Sequence, residues 1–135
     1  MKMVLMHDIV EIDAGDTYCY DEQAKLDKGE REEKCAERIF TMLPEDQAQE
    51  MFALWEEFEQ METPEARYAA ALDRLQPVLL NYTANGLSWK NHDISVEQVI
   101  ERNQRIQNSS EKLWSFVRGL LDDAITRGYL RKRKT

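Results

Sequence analysis

Chain breakers are scarce: the 135 residues include only 5 glycines and 3 prolines. That shortage excludes collagen-like and loop-rich scaffolds and leaves the residues that favour helix to set the local structure. Cysteine is scarcer still, with Cys19 and Cys35 alone and no C-x-x-C pair. A disulfide framework and a thiolate zinc site are both excluded, and the two thiols are expected to be reduced. Basic residues number 18 against 26 acidic ones, a net charge of −8. Such a surface repels a polyanion, so a nucleic-acid polymer is not an expected partner. No apolar run approaches the roughly 20 residues of a membrane span, so no membrane association is expected. Lys2 followed by Met3 to Met6 imitates the start of a signal peptide, but His7 and Asp8 end the apolar run well short of the roughly 7 to 15 residues required. The expected location is the cytoplasm.

What remains is a chain rich in Ala, Leu, Glu, Gln, Lys and Arg, and the expected class is all-α in one domain over residues 1–135. Met3, Met6, Ile9 and Val10 recur at helical spacing, and Gly15 is placed to end a helix over 1–14. Cys35, Ala36, Ile39, Phe40 and Leu43 form the buried stripe of a second helix, expected over 30–43 and closed by Pro44. A third, over 45–60, carries Ala48, Met51, Phe52, Trp55 and Phe58, which read as core and not as a cofactor cradle. Thr63-Pro64-Glu65 starts a fourth over 63–83, with Thr63 as N-cap and proline at the first helical position, and Asn85-Gly86 breaks it. Ser95 and Gln98 have the spacing of a capping box for a last helix over 95–127. Val99, Ile106, Leu113 and Leu120 repeat every seven residues there, joined by Val117 and Ala124, predicting one continuous packing seam. The basic residues Arg127 and Arg131 to Lys134 read as a solvated helix end.

One short segment stands apart. His7, Asp8, Glu11 and Asp16 concentrate an imidazole and three carboxylates within ten residues, beside an apolar helix stripe. Adjacent helical residues differ by about 100°, so His7 and Asp8 can both lean toward one ion, with Glu11 on the neighbouring turn. A second helix must then complete the ligand shell. Asp73 is the candidate, because Pro77 stands four residues later and denies the Asp73 carbonyl its helical N–H. The bland alternative is an Asp73 paired with Arg74 or Arg67 on the surface.

The longer string His7-Asp8-Ile9-Val10-Glu11-Ile12-Asp13-Ala14-Gly15-Asp16-Thr17 resembles the HD-domain 5'-deoxynucleotidases, and Ala71-Leu72-Asp73-Arg74-Leu75-Gln76-Pro77 resembles that family's later metal-ligand helix. Trp89-Lys90-Asn91-His92 is similar to its stretch before the last helix. The resemblance implies an HD-domain helical bundle in which His7, Asp8 and Asp73 hold a divalent cation (Mn, Co, Mg, Zn or Fe). It further implies that Glu11 serves in proton transfer and that Asp16 accepts a hydrogen bond from the sugar 3'-hydroxyl. The implied partner is a small nucleotide, a deoxynucleoside 5'-monophosphate cleaved to deoxynucleoside and phosphate, and the implied assembly is a homodimer.

The chain departs from the family at its start. The family places a further histidine ligand, an arginine for the phosphate and a tryptophan near the sugar upstream of the His-Asp pair. The helix over 1–14 has no capping residue ahead of it, so the chain is expected to lack its N-terminal helices and to hold metal weakly. A degenerate HD fold serving as a helical interaction protein is the alternative from another class. An alarmone hydrolase ranks last, since such enzymes resemble one another in an acid directly after the glutamate, where this chain has Ile12.

Overall fold

The computed structural model of the chain describes residues 1–15 and 28–133. Among these are nine helices: α1 Lys2–Met6, α2 Glu11–Ala14, α3 Lys28–Phe40, α4 Glu45–Gln60, α5 Pro64–Thr83, α6 Leu87–Asn91, α7 Val96–Asn103, α8 Ile106–Ser109 and α9 Glu111–Thr126. No strand occurs among the described residues; the only pairing of that kind is an isolated parallel bridge between Ser95 and Arg131. The all-α expectation holds. The chain divides into two compact units, Met1–Gln60 and Met61–Thr135.

In the first unit α1 packs on α4, and α3 packs on both α2 and α4. The core is Met6, Val10, Ala36, Phe40 and Trp55, flanked by the half-buried Cys35, Ile39, Met51 and Phe52. Phe52 makes edge contacts with Phe40 and Trp55, at centroid separations of 6.1 and 5.6 Å. The stripes read from the sequence are thus mostly buried or half-buried, except that Ile9 and Leu43 are exposed. Helix α3 ends at Phe40, and Met42 and Leu43 turn outward through three-residue hydrogen bonds to Ile39 and Phe40 before Pro44.

The expected single helix over 1–14 is interrupted. Between α1 and α2 the amides of Ile9, Glu11 and Ile12 reach back three residues, to Met6, Asp8 and Ile9, where an α-helix reaches back four. His7, Asp8, Ile9 and Val10 are all middling or poor helix formers, and burial of Val10 to 1 % exposure outweighs regular winding here. Gly15, at φ 77°, ends α2 as expected.

In the second unit α5 packs on α6, α7, α8 and α9, and α8 packs on α9. Thr63 Oγ1 accepts from the Ala66 amide at 3.2 Å, and Ser95 with Gln98 forms the full capping box. Helix α5 runs on through Pro77 to Thr83. It ends where Asn85 and Gly86 both take positive φ, 56° and 70°. Gly86 is obligatory twice over, since a Cβ there would stand 2.2 Å from the Tyr129 carbonyl oxygen. A short unexpected helix, α6, carries the buried Trp89.

The expected single helix over 95–127 is three helices. Ser110 adopts an extended backbone and caps α9, its hydroxyl accepting from the Leu113 amide at 3.3 Å. A serine that bonds the chain ahead of it cannot also continue the helix behind it. The seam is kept in part: Val99, Ile106, Val117 and Ala124 are buried, but Leu113 and Leu120 are only half-buried, and Leu121 is buried beside them. Nor is Arg131 part of a helix end. It donates to Asp93 Oδ1 at 2.5 Å and to the Asp93 carbonyl at 2.7 Å, and its own carbonyl accepts from the Val96 amide at 2.8 Å.

Candidate metal centre

The interruption between α1 and α2 is where the sequence places its first two candidate ligands. His7 follows the last residue of α1, and its Nδ1 lies 2.7 Å from the Val4 carbonyl oxygen. A carbonyl only accepts, so Nδ1 carries the proton and Nε2 presents its lone pair. That nitrogen lies 3.0 Å from Asp8 Oδ1. The His7 ring is held from the side by Phe58 of α4, with centroids 4.6 Å apart and planes tilted by 43°. The imidazole is mostly covered, its side chain 11 % exposed, while that of Asp8 is 65 % exposed.

Two lone-pair donors facing each other at 3.0 Å repel unless a positive charge lies between them. The charge is either a proton on Nε2 or a metal ion. A spacing of 3.0 Å suits either, since it is an ordinary N–H···O distance and since two donors about 2.1 Å from one ion and at right angles stand about 3 Å apart. A backbone carbonyl that fixes the far nitrogen is also the usual support of a metal-binding histidine. The residues therefore fit a divalent cation. Glu11 opens α2 one turn further on, half-buried, with its amide bonded to the Asp8 carbonyl at 3.0 Å.

The structure brings His7 and Asp8 together. Asp73 lies half-buried in α5 of the second unit, where it acts electrostatically on the neighbouring Arg74. Asp16 lies outside the described residues. The sequence reading gave Phe58 to the core and did not anticipate its contact with His7; its position on the aromatic stripe of α4 carries no signal of it.

A family model described as an HD domain matches residues 1–114. The chain belongs to the HD-domain family. Within the HD domains it is similar to the curated 5'-deoxynucleotidase HDDC2 of Mus musculus, 35 % identical over 79 residues that make up 58 % of this chain and 40 % of that protein. It is equally similar to HDDC2 of Homo sapiens, 35 % identical over 58 % of this chain and 39 % of that one. A solved "predicted metal-dependent phosphohydrolase" from Magnetospirillum magnetotacticum MS-1 is 51 % identical and superposes with a TM-score of 0.90 over 96 % of this chain and 65 % of that chain. This HD domain thus aligns with about two-fifths of the length of the curated relatives. The fold and family implied by the His-Asp string are those found, and the family implies a divalent metal. No described helix is long and apolar enough to cross a membrane.

Proposed function

We propose that the chain is a metal-dependent phosphohydrolase that releases phosphate from deoxynucleoside 5'-monophosphates, with His7, Asp8 and Asp73 as the protein ligands of the metal. The observation that carries this reading is the paired donor set of His7 and Asp8, oriented by the Val4 carbonyl and separated by 3.0 Å. The similarity to 5'-deoxynucleotidases supports the substrate class.

A divalent cation held by imidazole and carboxylate supplies Lewis-acid polarisation of a phosphoryl oxygen and lowers the pKa of a water molecule. The chain's own residues do the rest. Val4 fixes the tautomer of His7, so that Nε2 offers a lone pair without a rearrangement. Phe58 shields the imidazole from bulk water and so strengthens its electrostatic interactions. Glu11, one turn beyond Asp8, is the group for proton transfer, and Asp16 accepts from the sugar 3'-hydroxyl. The latter interaction is what distinguishes a sugar bearing a free 3'-hydroxyl from a 3'-substituted one. The assembly we propose is a homodimer, and the metal is one of Mn, Co, Mg, Zn or Fe.

The test is phosphate release from a panel of deoxynucleoside and ribonucleoside 5'-monophosphates with Mn, Co, Mg and Zn. Turnover confined to the 5'-monophosphates, faster for the deoxy forms and abolished by chelation, is expected. Binding of metal with no phosphate released from any nucleotide would overturn the enzyme reading in favour of an HD fold without turnover.

A further inference from the structure

The second unit holds a cleft of about 270 Å³ that none of the proposed metal ligands lines. One wall is formed by residues 89–94, the later part of α6 and the turn after it, and the other by residues 128–131, beyond the end of α9. The two walls are locked together at both ends. At one end Gly86, the residue on which α6 begins, fits only because it has no Cβ to strike the Tyr129 backbone. At the other the Arg131 guanidinium grips Asp93, and the Arg131 carbonyl accepts from the Val96 amide at 2.8 Å. Trp89, Ile94 and Leu130, all buried, supply the apolar part of the lining. The space is thus preformed, so a ligand entering it would not have to order the walls.

The charged part of the lining is unbalanced. Lys90 and Arg131 bring two positive charges and Asp93 one negative, a surplus of one cation in a chain whose net charge is −8. Arg131 is taken up by Asp93, whereas Lys90 makes no ion pair among the described residues. Its ammonium stands over the face of the Tyr129 ring, 5.3 Å from the centroid. An exposed lysine ordinarily extends into water, and the ring instead holds this one at the edge of the cleft. Arg127 lies 6.0 Å from the same ring but is paired with Asp123 at 2.6 Å. A lysine resting on a tyrosine is common surface packing. A locked, partly apolar cleft beside an ammonium with no carboxylate of its own is not.

The geometry points to a binding site for a small organic anion, with an aromatic or branched apolar body in the cleft and one acidic head group on the Lys90 ammonium. Size limits the body. An apolar cavity of about 150 Å³ holds benzene, and pockets for drug-sized ligands begin near 300 Å³. At about 270 Å³ the cleft is sized for one ring with its head group. An ammonium is a point charge with three donors and takes a carboxylate or a phosphate-type oxygen alike, so the shared chemistry is a single anionic head on an apolar body. The site stands apart from the phosphohydrolase reading, since it uses neither His7, Asp8 nor Asp73.

The test is titration of benzoate and of benzylphosphonate into the full chain without added metal, followed by NMR at the Trp89 indole N–H and the Gly128 amide. Saturable shifts there, with dissociation constants on the order of 1 mM, are expected. The indole signals of Trp55 and Trp114, which do not line the cleft, should stay in place. Acetate and methylphosphonate keep the heads and lack the ring, and should bind at least about 5-fold more weakly. Lys90→Gln should weaken benzoate by about 5-fold or more, and Lys90→Arg, which keeps a cation over the ring, should stay within about 2-fold of the wild type. Lys112→Gln, which removes the same charge from an exposed position in α9, should change nothing. Because Lys90 is exposed, its variants keep the fold and leave the result readable. Saturation by one probe alone upholds the site and names its head group, and saturation by both upholds the broader anion. Shifts that never saturate, that appear equally at Trp55 and Trp114, or that survive Lys90→Gln unchanged would overturn the inference.

Discussion

The helices that open the first unit begin differently from three of the helices of the second. In the second unit α5, α7 and α9 each start on a hydroxyl that accepts from an amide three residues on: Thr63, Ser95 and Ser110. In the first unit α1 and α2 start on Met1 and Val10 with no side-chain cap. The second unit is therefore punctuated by local chemistry, and the opening of the first is held by what it packs against. The difference teaches where a metal site can be built. A backbone that winds irregularly between His7 and Val10 is tolerated because Met6 and Val10 are buried at its two ends, and that irregular turn carries the two proposed ligands His7 and Asp8.

The comparison predicts that the first unit fails through its core. Trp55→Ala, which empties a site 7 % exposed in contact with Phe52, should cost about 3–5 kcal/mol in urea denaturation followed by circular dichroism. A loss near 1 kcal/mol would mean that the core does not hold the uncapped start.

In the second unit the sharpest local demand is at Gly86. Gly86→Ala combines a left-handed backbone with a Cβ driven against the Tyr129 carbonyl, and should cost roughly 2–4 kcal/mol. The same substitution at Gly119, where nothing lies within 4 Å, serves as the control and should be neutral or stabilising. Equal effects at both positions would remove the argument for close approach. A cap is worth less. Ser95→Ala should cost about 1 kcal/mol, measured in the same way, and a negligible change would show that the capping box is redundant with the Arg131 contacts beside it.

The smallest effect is a pH dependence. The hydrogen bond that Tyr82 donates to Asp123, aided by Arg127, holds the Asp123 carboxyl below its ordinary value, and the same bond holds the Tyr82 hydroxyl above its own. A depressed carboxyl contributes stability above its unfolded value of about 3.9, lost as pH falls through the folded one. A raised phenol contributes below about 10, lost as pH rises through its folded value. Tyr82→Phe should therefore be less stable than the wild type at neutral pH, the gap closing at both extremes. A gap of constant size from acid to alkali would contradict the pairing.

How much of this was legible follows the same division. Thr63, the Ser95–Gln98 box and the Asn85-Gly86 break are readable because each signal lies within four residues of its effect. The turn at His7–Val10 is not, because a periodic apolar pattern looks the same whether or not the helix tightens within it. Ser110 was legible in principle as a cap inside the expected last helix, but the seven-residue repeat from Val99 to Leu120 masked it. Of the candidate site, the residue types and their spacing single out His7 and Asp8, which the structure brings within 3.0 Å of each other. The Val4 carbonyl and the Phe58 ring that orient His7 are backbone and long-range partners and leave no local trace.

The proposed ligand set of His7, Asp8 and Asp73 is the reading most in need of a direct test. Calorimetric titration of Mn into the full chain and into its Asp73→Asn variant tests it directly, with circular dichroism to show that α5 is retained. The account predicts one site in the wild type and at least about 10-fold weaker binding in the variant. Identical isotherms would contradict it.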